Sequence, residues 1–229
     1  MKANEKLNSL YEYVKSSNEF KKYTELLLEW NKKFNLTAIT EPREVDTKHH
    51  VDSLSVFLTN IETNAKVIDI GTGAGFPGIP MKLYRKDLEI LLLDSLKKRI
   101  GFLDTVIKEL KLDNIETIHG RAEELGRNQD YREKYDIAIS RAVANLRTLA
   151  EYSLPFVKPG GKFIAMKGPE PQQEINESKN AIKILGGKYL ETIKVEFDDY
   201  EHNLIVIKKI APTANKYPRA GGKPKNRPL

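Results

Sequence analysis

The run Val67-Ile68-Asp69-Ile70-Gly71-Thr72-Gly73-Ala74-Gly75-Phe76-Pro77-Gly78, answered by Leu91-Leu92-Leu93-Asp94, holds the residues of this chain best suited to chemistry. Its short apolar start reads as a buried parallel strand, and the glycine cluster as a turn where backbone meets ligand. Without Cβ, glycine takes left-handed dihedrals and lets a ligand approach the main chain. The next helix points free N–H groups at any negative group lodged in the loop. Asp94, at the end of the second apolar run, is placed to accept hydrogen bonds from ribose hydroxyls. Strand, glycine loop, helix, strand and acid in that order describe a site for a nucleoside cofactor.

Details of the loop separate the candidate cofactors. A dinucleotide fingerprint G-x-G-x-x-G needs glycine at position 76, where this chain has Phe76; the pattern here is D-x-G-x-G-x-G followed by F-P-G. That departure argues against NAD. The pattern is similar to the first motif of Rossmann-like S-adenosylmethionine-dependent methyltransferases.

The elements that must position the loop are legible from periodicity. Leu7, Leu10, Tyr11 and Val14, and then Tyr23, Leu26, Leu27, Trp30 and Phe34, recur at helical spacing, so residues 1–60 read as a helical extension packed on the core. Trp30 falls in that register as a core residue rather than a stacking platform. Thr40 and Pro42 mark the start of a third helix through Val51, Leu54 and Phe57. From Lys66 the chain alternates strand and helix over 61–210, with strands expected at 66–70, 89–94, 115–118, 135–140, 162–167, 189–197 and 203–209. This predicts an α/β fold with a seven-stranded, mostly parallel sheet. The last two strands are joined only through Asp198-Asp199-Tyr200-Glu201-His202. A parallel crossover needs about a dozen residues or more, so they must form an antiparallel hairpin.

Composition sets further bounds. The chain has 229 residues, enough for one α/β domain with an extension, and no cysteine, which excludes disulfides, thiolate metal sites and a cysteine nucleophile. The histidines, His49-His50 included, lack metal-ligand spacing, so no metal is expected. No apolar run approaches membrane-spanning length, and a cytoplasmic protein without a membrane partner is expected. Of the formal charge of +6, five units lie after Ala211, on Lys216, Arg219, Lys223, Lys225 and Arg227, with no acid among them. Residues 211–229 therefore read as a basic, mobile tail, either merely solvated or engaging nucleic acid through Lys216, Arg219 and Lys223.

Other candidates fall at strand ends, where a doubly wound sheet binds its ligands. Gly120-Arg121-Ala122-Glu123-Glu124 follows the third strand, Ser140-Arg141-Ala142-Val143-Ala144 the fourth, and Met166-Lys167-Gly168-Pro169 the fifth. Ala122 and Glu123 are placed for main-chain contact with adenine, and Arg141 and Lys167 are the candidates for positioning the reaction. Lys97, Lys98 and Arg99 crowd the first turn of the helix after Asp94, where the helix dipole disfavours each cation by roughly 0.3–1 kcal/mol. Phosphate contact is the preferred reason for their presence there; a solvated face is the other.

These features together resemble the bacterial family of small-subunit ribosomal RNA guanine-N7 methyltransferases, also called glucose-inhibited division protein B. The likeness runs through Asn35-Leu36-Thr37, the segment from His50 through Asp52 to Leu54, the loop D-x-G-x-G-x-G-F-P-G-I-P, Leu93-Asp94-Ser95 with Lys98-Arg99, Ser140-Arg141-Ala142, and Tyr217-Pro218-Arg219. The resemblance implies a Rossmann-like class I methyltransferase fold, S-adenosylmethionine as cofactor, and 16S ribosomal RNA or a small-subunit precursor as partner. It implies cofactor contacts at Gly71, Gly73, Phe76, Asp94, Ala122, Glu123 and Arg141, and the chain departs from the family at Gly120-Arg121-Ala122-Glu123, which bears only on that loop's detailed contacts. The residues agree with transfer to guanine N7: that atom carries a lone pair and no proton, so orientation can supply most of the rate. Attack on pyrimidine C5 would want a cysteine, and the D/N-P-P-Y/F motif common in amino-group methylation is absent after the fourth strand. Two other functions keep the fold: transfer to a small metabolite, which leaves the basic clusters unexplained, and a non-catalytic RNA-binding module or nucleotide-dependent regulator. Oligomeric state is not legible.

Overall fold

The amino-terminal stripes fold as α1 (Ala3–Ser16) and α2 (Asn18–Phe34) in the computed structural model, which describes residues 3–141 and 144–229. Leu7, Leu10 and Val14 of α1 and Phe20, Tyr23, Leu26 and Leu27 of α2 are buried in one apolar cluster with sheet residues such as Val67, Leu92 and Ile139. Asn35 closes α2 in the left-handed region at φ 48°, a conformation asparagine tolerates better than most side chains. Trp30 packs against Phe34 and Phe102, with ring centroids 5.3 and 5.6 Å apart, as its register demands.

The third helical segment departs from a regular helix. It opens as α3 (Pro42–Val45), with proline in its first turn, and continues through a π-helical stretch, Asp46–Val51, into α4 (Asp52–Leu54) and a 3-10 turn, Ser55–Leu58. The widened turn lets adjacent His49 and His50 both be buried. His50 packs against Phe20 and bonds Thr24 Oγ1 at 2.8 Å, while the His49 ring lies 4.5 Å from that of Phe76.

The sheet comprises β1 (Lys66–Ile70), β2 (Glu89–Asp94), β3 (Ile115–His119), β4 (Tyr135–Arg141), β5 (Val157–Lys167), β6 (Gly187–Phe197) and β7 (Tyr200–Lys209). The helices between them are α5 (Gly78–Tyr84), α6 (Lys97–Glu109), α7 (Ala122–Leu125), α8 (Leu146–Ser153) and α9 (Gln172–Ile184), with α10 (Lys223–Asn226) in the tail. The spatial order is β3-β2-β1-β4-β5-β7-β6; β7 runs antiparallel to both neighbours, as the short link requires. That link is tighter than the sequence suggests. Tyr200, Glu201 and His202 are already paired to β6, leaving Asp198 and Asp199 as the turn, with Asp198 at φ 53°. Strand order reverses between β1 and β4, which puts the ligand crevice at their carboxyl ends.

Close approach explains a glycine where the loop enters α5. A Cβ on Gly78 would collide with Leu92 Cδ2 and lie 2.9 Å from Asp69 Oδ2, the atom that accepts the Gly78 N–H at 2.9 Å. Gly78→Ala is expected to cost about 1–3 kcal/mol of stability through overpacking; urea titration checks this, and an unchanged midpoint would contradict the packing described.

The tail is a correction to the sequence reading. Thr213, Tyr217 and Pro218 are buried, and Arg132 donates to the carbonyl oxygens of Thr213, Tyr217 and Gly126 at 2.5, 2.9 and 2.8 Å. Arg219 pairs with the buried Glu151 at 2.6 Å. Composition suggests a free arm because it counts the tail's own apolar residues; the body supplies the missing apolar surface and the charge partners.

Candidate functional site

Two adjoining cavities open at the carboxyl ends of the central strands, one of about 400 Å³ and one of about 220 Å³, and Gly71, Asp94 and Ser95 line both. The larger is walled on one side by Thr72, Gly73, Ala74 and Arg99 and on another by Leu36, Thr37, His49, Phe76 and Arg141. Ala122, Glu123, Arg121 and Tyr152 line the smaller. The structure thus brings Gly71, Gly73, Phe76, Asp94, Ala122, Glu123 and Arg141 to one connected space. Ala142 and Val143, also singled out in the sequence, lie outside the described residues.

The glycine loop is held open by its neighbours. Gly71 and Gly73 have φ of 70° and 63°, and a Cβ on Gly73 would meet only Gly71 O, at 4.0 Å, so the space above that residue is free for a ligand. Asp69 Oδ2 accepts from Thr72 Oγ1 at 2.6 Å and from Gly78 N, pinning both ends of the turn. Burial pushes the Asp69 carboxyl up to about 6, against the pull of those two bonds.

Asp94 is only 2% exposed and already busy: Oδ1 accepts from Leu96 N at 2.8 Å, and Oδ2 from Gly73 N at 2.9 Å and Arg99 Nη1 at 3.1 Å. A carboxylate has about four acceptor positions. One therefore remains on Oδ1, enough for a single ribose hydroxyl. These residues fit a nucleoside cofactor, with Ala122 and Glu123 of α7's first turn lining the smaller cavity.

Besides Phe76, Arg141 is fixed by Asp52 and His49, to which the sequence reading gave no role at the site. Its Nη1 pairs with Asp52 Oδ2 at 2.8 Å, its Nη2 lies 3.3 Å from His49 Nδ1, and its guanidinium sits 4.9 Å from the Phe76 ring centroid. His202 Nδ1 meets the other Asp52 oxygen at 2.9 Å, and His202 Nε2 meets Ser55 Oγ at 3.0 Å. Burial pushes the Asp52 carboxyl up, but the His202 bond and the Arg141 charge outweigh it, holding it below the usual carboxylate range. An acid embedded in the apolar run Val51, Leu54 and Phe57 was the one sequence signal for this role.

His49 is neutral at physiological pH: burial, and then the Arg141 charge, lower it to about 4. An unfolded histidine titrates near 6.5, so between those values the unfolded chain binds more protons and stability is lost as pH falls. His49 contributes up to roughly 3 kcal/mol of this acid sensitivity. Asp69, raised when folded, acts oppositely between about 4 and 6. The informative quantity is therefore a difference: His49→Gln is expected to lose less stability than the parent between pH 6.5 and 4 in urea titrations, and parallel curves would contradict the neutral assignment.

Lys167 is not at the site. Its Nζ donates to Ala144 O at 2.9 Å and pairs with Glu174 of α9 at 2.8 Å, and it lines neither cavity. Among the basic candidates, Arg99 lines the larger cavity and is paired with Asp94, and Arg219 is paired with Glu151. Lys97, Lys98, Lys216 and Lys223 are exposed. Among the described residues no cluster of three or more metal-ligating side chains occurs, and no helix is long and apolar enough to cross a membrane.

A seven-stranded sheet with a reversed seventh strand, a glycine loop after β1 and an acid at the end of β2 define the Rossmann-like class I methyltransferase fold. Solved structures agree on that fold: TrmN from Thermus thermophilus, with a TM-score of 0.55 at 15% identity over 70% of this chain and 48% of that one, and TYW2 of Pyrococcus horikoshii in complex with MeSAdo, with 0.52 at 16% identity over 66% and 60%. Residues 16–204 match the model of the family described as rRNA small subunit methyltransferase G. The chain is 52% identical over 215 residues to the ribosomal RNA small subunit methyltransferase G of Alkaliphilus oremlandii, covering 93% of this chain and 90% of the relative. It is 53% identical over 213 residues to that of Clostridium kluyveri, with the same coverage. This chain belongs to the ribosomal RNA small subunit methyltransferase G family.

Proposed function

We propose that this enzyme transfers a methyl group from S-adenosylmethionine to N7 of a single guanine in 16S ribosomal RNA, as naked RNA or within a small-subunit precursor. The observation that carries the reading is the make-up of the larger cavity. Its ionisable lining residues are His49, Asp94, Arg99 and Arg141. None is a ready base: Asp94 is tied by three donors, His49 is lowered to about 4, and the other two are cations. Such a site suits an acceptor that brings its own lone pair.

When bound, S-adenosylmethionine supplies an electrophilic methyl group on a cationic sulfur. Gly71, Gly73 and the free Asp94 position would hold it by its nucleoside half, with Ala122 and Glu123 beside adenine. Arg141, locked by Asp52, offers a fixed cation to a carboxylate. Leu36, Thr37 and His49, supplied by the amino-terminal extension, wall the side from which a base would enter. Orientation is then the chain's main contribution to rate.

Incubating the protein with labelled S-adenosylmethionine and either 16S RNA or small subunits, then digesting the RNA for mass spectrometry, is expected to give 7-methylguanosine at one site. Label in another nucleoside, or in none, would refute the assignment. The exposed Lys97, Lys98, Lys216 and Lys223 support phosphate contact. Changing Lys97 and Lys98 together to Ala should reduce the slope of log affinity against log salt by roughly one to two in filter binding; an unaltered slope returns that turn to an ordinary solvated face.

A further inference from the structure

Several contacts of the carboxy-terminal segment run to the elements that wall the smaller cavity, while Thr213 is anchored apart from it on Leu185 O and Lys209. Glu151 of α8 is 0% exposed and takes four bonds from Arg219: the backbone N–H at 2.7 Å and Nε at 2.9 Å on Oε1, and Nε at 3.2 Å and Nη2 at 2.6 Å on Oε2. Its sequence neighbour, Tyr152, lines the cavity. On the other wall α7 presents Ala122 and Glu123, and Gly126 just beyond it lies against the tail: a Cβ there would stand 3.1 Å from Pro218 Cγ and 3.0 Å from Ala122 O. Arg132, 9% exposed, ties the two sides by donating to Gly126 O and to the tail carbonyls of Tyr217 and Thr213. Arg127 Nη1 reaches Pro218 O at 3.3 Å.

We infer that residues 213–219 form a strap that fixes the α7 and α8 walls of the smaller cavity, which makes Arg219 and Arg132 positioning residues for cofactor binding. The inference rests on the proposed function, in which that cavity takes the nucleoside half of the methyl donor. A four-residue helix such as α7 has almost no stability of its own, so its place is set by what it packs against. The strap is what its carboxyl end packs against. The buried Glu151 carboxylate makes release of the strap costly, because a buried charge stripped of its partner is strongly destabilising. Arg219 thereby commits Nε and Nη2 to Glu151, whereas Lys216 and Lys223 are exposed.

The test uses the full chain, with S-adenosylmethionine and S-adenosylhomocysteine as probes in calorimetry. Two variants loosen the strap differently. Glu151→Gln with Arg219→Gln removes the ion pair without stranding a charge, and Pro218→Ala removes the strap's contact with Gly126 while removing no polar group, so it keeps the test open should the pair be needed for folding. Both are expected to bind either probe roughly three- to thirtyfold more weakly at temperatures where they are fully folded. KM for S-adenosylmethionine should rise with kcat unchanged, amide protection should fall across residues 121–126, and RNA affinity without cofactor should stay the same. Folded variants that bind both probes like the parent would overturn the strap, as would a loss confined to RNA affinity. A parent protein that binds neither probe would instead remove the reading of the cavity, and the strap with it.

Discussion

Replacing Asp94 with Ala is expected to weaken S-adenosylmethionine binding by roughly 1.5–3 kcal/mol, about ten- to 150-fold, in calorimetry. The residue serves the site twice. Its free acceptor position is the one available to a ribose hydroxyl, and its bond to Gly73 N holds the glycine loop in a left-handed shape. Loss of the side chain also frees Arg99, which then adds an unpaired cation to the larger cavity. Asp94→Asn should not rescue binding, since an amide turns a donor toward either Gly73 N or Leu96 N, both of which need an acceptor. Wild-type affinity in Asp94→Ala would mean that the cofactor lies elsewhere.

Arg141→Ala should have the largest effect on stability, about 3–5 kcal/mol in urea unfolding, because Asp52 is fully buried and would lose its cation. His202 and the Tyr200 side chain would remain as its partners, neither supplying the fixed cation that Arg141 does. Combining Arg141→Ala with Asp52→Asn removes the stranded charge and should restore much of that stability. Methyl transfer should stay low, by roughly a hundredfold, because the larger cavity then lacks the fixed guanidinium beside Phe76 and His49. A double variant with parental turnover would show that Arg141 only neutralises Asp52 and does not act at the site.

Periodicity served well for elements with a single face to bury. The amphipathic faces of α1 and α2 are legible because their apolar positions recur at the helical period, whereas the strands at Val67, Leu91 and Ile137 are legible as short continuous apolar runs, buried on both faces of the sheet. The reversed β7 is legible because a short link excludes a parallel crossover. The π stretch at Asp46–Val51 is not, since adjacent His49 and His50 fit no helical period, and both are buried only after the turn widens. The Asp52, His202 and Arg141 cluster joins residues far apart in the chain, and no local pattern announces such a meeting. The tail misleads for a related reason: charge counting treats Arg219 as free, while its partner, Glu151, is hidden in a helix with no sequence mark of burial. The glycine loop and Asp94 are the opposite case, since steric and hydrogen-bonding demands there are met by neighbours in sequence.

The most direct measurement is a crystal structure of the protein soaked with S-adenosylmethionine. The nucleoside is expected in the smaller cavity, with a ribose hydroxyl on Asp94 and adenine beside Ala122 and Glu123, and the sulfonium methyl facing the space walled by Thr37, His49 and Arg141. Density for the compound away from the glycine loop, or none at saturating concentration, would contradict the assignment of this crevice as the methyl-donor site.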